Sequence, residues 1–188
     1  MHELKNGMIL YHASYVKIPE PDLDKCADFK DFGKGFYLTS SRQQAENFIG
    51  ISIKKAVANR IIDKEQNYGF ISSFRASLSE EIRVFEYKDT DESWLHCVVG
   101  HRKPGSFPDV IEEMKEYDII KGKIADDATN FTIVAYISGA YGETGTSEAD
   151  RICTGRLIPE RLKDQYCFRT LKSLSCLEYI GSEKVWIK

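Results

Sequence analysis

Three short segments of the chain carry side chains that can hold hydroxyl groups and rings. They are LYHAS at 10–14, FGKGFYLTSSRQQAENF at 32–48 and DQYCFRT at 164–170. Each is predicted to start or end a strand, and together they bring His12, Tyr37 and Gln165 in that order. A histidine and an amide carbonyl both bind hydroxyl groups, and the face of a tyrosine ring attracts cations.

Two glycines precede the strand-forming run of the second segment. Gly33 and Gly35 flank Lys34, and FYLT follows at once. Glycine has no side chain to pack, and it loses the most backbone freedom on folding, so it weakens a strand. A turn is the plain explanation for these glycines, and close approach of the backbone to a ligand is the more specific one. Taken alone, His12 fits a structural histidine and Tyr37 a half-buried sheet residue.

The composition indicates one soluble globular domain over residues 1–188. Hydrophobic residues make up 42% and charged residues 29%, and the net charge of -3 disfavours broad, charge-driven binding to nucleic acid or membrane. No apolar run reaches the roughly 18 residues of a spanning helix, and the N-terminus lacks the pattern of a signal peptide. The odd number of cysteines fits reduced thiols and a cytoplasmic protein: Cys26, Cys97, Cys153, Cys167 and Cys176.

A metal site is not expected. Cys97 and His101 are four residues apart on a predicted helix beside His96, but no third and fourth ligand accompanies them.

The pattern of apolar residues predicts a mixed α+β fold, because strands and helices do not alternate regularly. We expect strands in MILYHAS, GFYLTS, FISSFRASL, IRVFEYKD, YDIIKGKI, QYCFRT and EYIGSEKVWI, and helices in RQQAENFIGISIKKAVANR, DESWLHCVVGHR, DDATNFTIVAYIS, SEADRICTGRL and LKSLSCL. GSFPDVIEEMKE is predicted to be a loop with one helical turn. The expected helix caps are Ser40 or Ser41, Asp91 or Ser93, and Asp126 or Asp127. The buried stripe of the first helix is predicted as Ala45, Phe48, Ile49, Ile53 and Ala56.

At these motifs the chain resembles the ADP-ribosyltransferase superfamily of the His-Tyr-Glu type. It is most similar to a bacterial family of small transferase-like domains, and the resemblance covers nearly the whole chain, including DESWLHCVV, YDIIKGKIADD and DQYCFRTLKSLSCL. The FGKGFY run also resembles the equivalent run of poly-ADP-ribose polymerases. The resemblance implies two small sheets packed around a cleft that holds NAD, the co-substrate, in a bent conformation.

The resemblance also implies a role for each motif residue. His12 would bind a ribose hydroxyl on the adenosine side, and the backbone of Ala13 would bind the nicotinamide amide, although the family commonly has glycine there. Tyr37 would stack on the cationic nicotinamide ring. The other expected contacts come from the hydroxyl of Ser14, the ring of Phe48, and the backbone at Gly33 and Gly35.

Gln165 stands where the resembling transferases have a catalytic glutamate. An amide can hold the ribose 2′-hydroxyl, but it supplies no negative charge to the oxocarbenium-like transition state. Three outcomes are open at this stage. Gln165 works as a positioning group, a nearby acid such as Asp164, Glu143 or Glu148 replaces the glutamate, or the domain binds NAD or a partner without catalysis.

The first hypothesis is therefore a mono-ADP-ribosyltransferase that transfers ADP-ribose to an unknown acceptor, which is a protein, a nucleic acid or a small molecule. The alternative is a catalytically inactive NAD-binding or protein-interaction domain. Relatives of this kind are often bacterial toxins with a small antitoxin-like partner, so the resemblance implies that role also. The acceptor is expected to contact residues 155–164, and the basic side chains Lys34 and Arg42 are candidates for the pyrophosphate, although solvated lysines and arginines are common.

Overall fold

The computed structural model describes residues 4–125, 127–157 and 163–187, and the side chains of 127 and 128 are not described. The fold is mixed α+β, as the sequence predicts. Its strands are β1 (Ile9–Ser14), β2 (Phe36–Leu38), β3 (Tyr68–Ala76), β4 (Val84–Glu86), β5 (Ile119–Lys123), β6 (Asp164–Phe168) and β7 (Leu177–Trp186). Its helices are α1 (Arg42–Ala58), α2 (Glu92–Arg102), α3 (Pro108–Met114), α4 (Asp127–Ile137), α5 (Ser147–Thr154) and α6 (Leu171–Leu174).

Two sheets meet where β1 lies beside β2. The first sheet has the order β1-β3-β7 and the second the order β2-β6-β5-β4. The pairs within them are antiparallel except β4–β5, which is parallel. A single bridge between Tyr11 and Thr39 joins the sheets, with both backbone hydrogen bonds formed at 2.8 and 3.0 Å. The three predicted motifs therefore lie on neighbouring strands, in the order β1, β2, β6.

Helix α1 packs against one face of the first sheet. Its N-cap is Ser41, whose side chain accepts a hydrogen bond from the backbone of Gln44. The buried stripe comprises Ala45, Ile49, Ile53 and Ala56, which pack with Ala13 and Ile71. Phe48 is the exception to the predicted stripe, since it is 38% exposed. The helix therefore fixes the backbone of β1 near Ala13 and leaves the Phe48 ring at the surface.

Two further clusters of apolar side chains hold the second sheet. One lies between the sheets and includes Leu10, Phe36, Phe74 and Phe168. The other lies on the opposite face of the second sheet, where residues of α2, α4 and α5 pack together around the fully buried Trp94. Because β2 and β6 are sandwiched between these clusters, their side chains alternate between the inter-sheet core and the helical layer.

Several local expectations are confirmed and others are corrected. Asp91 caps α2 by accepting from the backbone of Trp94 at 3.0 Å. The segment expected to be a loop contains helix α3, whose first residue is Pro108, a favourable position for proline. Helix α4 begins at Asp127, and the cap expected at Asp126 or Asp127 falls on side chains that the structure does not describe. Among the helices described, none has the length and apolar character needed to cross a membrane.

Candidate functional site

His12 lies on β1 at the junction of the two sheets. Its Nδ1 is 2.8 Å from the carbonyl oxygen of Tyr37, and its ring stacks on Phe36 with centroids 4.4 Å apart. Because a carbonyl oxygen only accepts, Nδ1 carries the proton, and Nε2 is left as an acceptor in the neutral ring. Burial lowers the pKa of His12 below its usual 6.5 and favours this neutral form. His12 can thus accept a hydrogen bond from a ligand hydroxyl.

Ala13 directs its backbone polar groups to the gap between the sheets. Alternate residues of an antiparallel strand point their N–H and C=O groups to opposite sides. Tyr11 exchanges both of its bonds with Thr39 on the β2 side, so Ala13, two residues later, also points toward β2. Within the described residues, that one bridge is the pairing between β1 and the segment that follows β2. An N–H and a C=O side by side can bind a carboxamide, which offers the matching acceptor and donor.

Tyr37 uses its hydroxyl to close the loop that precedes β2. The hydroxyl accepts from the backbone N–H of Phe32 at 2.9 Å and donates to the carbonyl of Gly33 at 2.7 Å. Burial raises the pKa of Tyr37 well above its usual 10, so the hydroxyl stays protonated and remains a donor. The hydroxyl therefore has a structural task, and the ring is the part of Tyr37 left to contact a ligand.

The two glycines are required by contacts within the protein. Gly33 has φ +76°, and a Cβ there would lie 2.4 Å from the ring of His101. A Cβ on Gly35 would lie 2.5 Å from the sulfur of Cys167 and 2.8 Å from the carbonyl oxygen of Phe168. All three distances are too short for any other residue without a shift of the neighbour. The close approach that the sequence suggests is therefore present, and the partner that the structure shows is the protein itself.

Gln165 is buried on β6, on the same face of the second sheet as Tyr37. This follows because Tyr37 pairs with Cys167, two residues further along β6. The Gln165 amide donates to Asp31 Oδ2 at 2.7 Å and to the Lys123 carbonyl oxygen at 3.2 Å. Both partners are acceptors, so the amide orientation is determined, and both N–H groups are used. The carbonyl oxygen Oε1 is left to bind another donor.

The three acids considered as replacements for the glutamate lie elsewhere. Asp164 precedes Gln165 on β6 and so projects from the opposite face, where its Oδ1 is 3.0 Å from Lys123 Nζ. Glu143 is exposed in the loop before α5, and Glu148 is exposed in the first turn of that helix. The acid that contacts Gln165 is Asp31, 134 residues away in sequence.

The remaining predicted contacts have mixed environments. Ser14 is buried, with its hydroxyl 3.5 Å from the backbone nitrogen of Val16. Lys34 is exposed. Arg42 forms ion pairs with Glu46 at 3.1 Å and Glu183 at 2.8 Å. Half of the acceptor loop expected at 155–164 falls outside the described residues, since 158–162 are not described.

The histidines and cysteine of α2 form other contacts. His101 Nδ1 is 2.9 Å from the Cys97 carbonyl oxygen, so it donates to the turn before it. His96 Nε2 is 2.8 Å from Asp150, and its ring stacks on Phe107. In the part of the chain that the structure describes, no group of three or more histidine, cysteine or acidic side chains could hold a metal ion.

Comparison with known proteins places the chain in a family. Residues 8–179 match the model of a family described as Protein of unknown function (DUF3990). The chain belongs to this family. A search of curated proteins gave no match.

The match spans the candidate site from His12 to Gln165, so the DUF3990 region contains the whole candidate site. Sequence reasoning missed two of its residues. Asp31 begins the DFGKGF run, directly before the glycine loop, and Arg102 ends α2. An acid directly before the motif glycines was the signal available in the sequence for Asp31. Arg102 gave no such signal, because its contact with Asp31 depends on how α2 packs.

Proposed function

We propose that this protein is an NAD-dependent ADP-ribosyltransferase with an ADP-ribosyltransferase-like fold. The observation that carries the proposal is the adjacency of the three motifs on strands β1, β2 and β6. A two-sheet α+β architecture with His12, Tyr37 and Gln165 on neighbouring strands is what the family resemblance implies. The reaction would break the bond between nicotinamide and ribose C1′, with the bonding electrons leaving on neutral nicotinamide. The acceptor nucleophile would bond to C1′ and lose its proton.

Each residue has a role in this proposal that fits its environment. His12 accepts a ribose hydroxyl through Nε2, since Nδ1 is committed to the Tyr37 carbonyl. Ala13 binds the nicotinamide carboxamide through its N–H and C=O. The Tyr37 ring stacks on the pyridinium, a contact of roughly 0.5–2 kcal/mol. Gln165 accepts the ribose 2′-hydroxyl through Oε1.

A second candidate function is NAD binding without turnover. The observation in its favour is that Gln165 is neutral and that both of its N–H groups are bound within the protein. Such a residue can hold the ribose while giving less stabilisation to a developing cation than a carboxylate would. Only the first candidate function, the transferase, requires an acceptor for ADP-ribose, and only it implies an antitoxin-like partner.

The test follows released nicotinamide and transferred label from NAD labelled in its adenine part, with and without bacterial lysate. We expect release by wild type and loss in His12→Ala and Gln165→Ala. Matched controls are His96→Ala, whose ring contacts Asp150, and Gln66→Ala, whose amide donates to the Tyr15 carbonyl at 2.8 Å. Both controls should keep wild-type release when their folded fraction is taken into account.

Three results are distinguishable. Release that disappears only in the two site variants supports the transferase. Calorimetric binding of NAD without release in any condition supports the second candidate and excludes the first. No NAD binding by well-folded protein contradicts both.

A further inference from the structure

Asp31 is at the centre of a buried hydrogen-bond network that joins four segments of the chain. Its Oδ1 accepts from Arg102 Nε at 3.0 Å and Nη2 at 2.5 Å. Its Oδ2 accepts from the backbone N–H of Ala125 at 3.1 Å and from Gln165 Nε2 at 2.7 Å. The side chain of Asp31 is 10% exposed and that of Arg102 is 17% exposed. Burial at this level makes each of these bonds costly to lose.

The network fixes the orientation of the Gln165 amide. Rotating that amide by half a turn would place its oxygen against the carboxylate of Asp31 and the carbonyl of Lys123, and all three are acceptors. Arg102 holds the Asp31 side chain in place through two hydrogen bonds, and Asn130 in turn accepts from Arg102 Nη1 at 2.7 Å. The amide nitrogen is therefore held inward and the carbonyl oxygen is presented as the acceptor.

We propose that Asp31 is a positioning residue for Gln165, holding its carbonyl oxygen in place to accept the ribose 2′-hydroxyl. This inference rests on the proposed function, since the hydroxyl belongs to NAD. It has an unusual consequence. Gln165→Glu, which introduces the glutamate of the resembling transferases, should impair the protein, because the new carboxylate would meet the carboxylate of Asp31 at hydrogen-bond distance.

The reciprocal exchange tests this contact directly. In Asp31→Asn the new amide and that of Gln165 face each other as two donors, so the contact is lost. In the double variant Asp31→Asn/Gln165→Glu, the asparagine N–H group donates to the new carboxylate, and the total charge equals that of wild type. The backbone N–H of Ala125 loses its acceptor in that variant, so the recovery should be partial.

The experiment compares wild type, the two single variants and the double variant. Thermal unfolding midpoints are measured from pH 4.5 to 8.5, a range that begins near the ordinary pKa of a glutamate, and kcat and KM for nicotinamide release are measured on the same samples. We expect Gln165→Glu to lose stability relative to wild type as pH rises, because its carboxyl must then ionise beside Asp31. Its kcat should fall by on the order of tenfold or more with little change in KM, and the double variant should recover most of the loss.

The other titratable groups near Asp31 are the same in all four proteins. Their effect on the unfolding midpoint therefore cancels when each variant is compared with wild type at the same pH. Among the residues that the structure describes, the charged and titratable groups around Asp31 are Arg102, Lys30, His101, Tyr37, Cys97 and Cys167. Burial raises the pKa of both thiols to about 12, so they stay neutral in this range. Asp150→Asn is the matched control. It also replaces a buried acid, so it should lower the midpoint and leave kcat of the folded protein unchanged.

The outcomes separate this inference from the proposed function. A single Gln165→Glu variant with wild-type kcat and pH-independent stability, or a double variant no better than Gln165→Glu, overturns the role of Asp31. Absence of nicotinamide release by wild type overturns the proposed function and with it any catalytic positioning. The pH dependence of the unfolding midpoints, which needs no NAD, then still reports whether the Asp31–Gln165 contact exists.

Discussion

Replacing Gly33 by alanine should destabilise the fold for two reasons, the backbone conformation at this position and a clash with the His101 side chain. The residue has φ +76°, and a left-handed conformation costs a residue with a Cβ about 1–2 kcal/mol. The new Cβ would also lie 2.4 Å from Cδ2 and 2.9 Å from Nε2 of His101, and overpacking of this kind typically costs about 1–3 kcal/mol.

The sum for Gly33→Ala is therefore about 2–5 kcal/mol of unfolding free energy. Gly105→Ala is the matched control, because Gly105 has φ +86° but nothing within 4 Å of the position of its Cβ. That control should cost about 1–2 kcal/mol, from the backbone conformation alone. The difference between the two variants measures the contact with His101.

A double-mutant cycle with His101→Ala assigns the contact. Removing the His101 ring should abolish the cost of its clash with the new Cβ. The double variant should therefore be about 1–3 kcal/mol more stable than the sum of the single variants predicts. Urea unfolding followed by the fluorescence of the buried Trp94 gives each free energy. Equal losses for Gly33→Ala and Gly105→Ala, or additive losses in the cycle, would refute the explanation of Gly33 by internal packing.

Two further predictions concern pH and the Tyr37 hydroxyl. Burial lowers the pKa of both His12 and His101 in the folded protein, so below about pH 6.5 the unfolded chain binds protons first and stability should fall as the pH falls. Urea unfolding from pH 8 to 5 measures the free energy of unfolding at each pH. His101→Gln should reduce the slope of that free energy against pH, and a wild-type free energy that does not change with pH contradicts the prediction. Tyr37→Phe leaves the N–H of Phe32 and the carbonyl of Gly33 without their partner, so it should cost about 1–3 kcal/mol of stability while NAD binding, measured by calorimetry, stays near wild type. Tyr37→Leu should weaken that binding as well, and equal binding by both variants would exclude ring stacking.

Local features of the fold were predictable from the sequence because their causes are local. Ser41 caps α1 and Asp91 caps α2 through bonds to residues three positions later. The spacing of apolar residues predicted the buried stripe of α1, and the run YDIIKGKI predicted β5. Phe48 was assigned wrongly to the stripe because it lies at its edge, and spacing alone does not tell whether another segment covers that edge.

The contacts of the site depend on the pairing of distant strands, which local pattern does not specify. Gln165 meets Asp31 only because β6 lies beside β2 and the loop before β2 folds over the same face. The parallel pairing of β4 with β5 is equally non-local. The motifs therefore made His12, Tyr37 and Gln165 candidates, whereas their hydrogen-bond partners required the structure.

The Asp31–Gln165 contact changes the meaning of the neutral residue at the third motif. The negative charge expected there is present, but it lies one side chain further back and is shared with Arg102. An amide that donates to a carboxylate becomes more polarised, and such coupling strengthens a neighbouring hydrogen bond by about 10–30%. Gln165 Oε1 is thus a stronger acceptor than an isolated amide and a weaker electrostatic partner than a carboxylate. On the proposed function, it follows that ribose binding is retained more fully than acceleration of bond cleavage, so we expect a transferase with slow turnover rather than weak affinity for NAD.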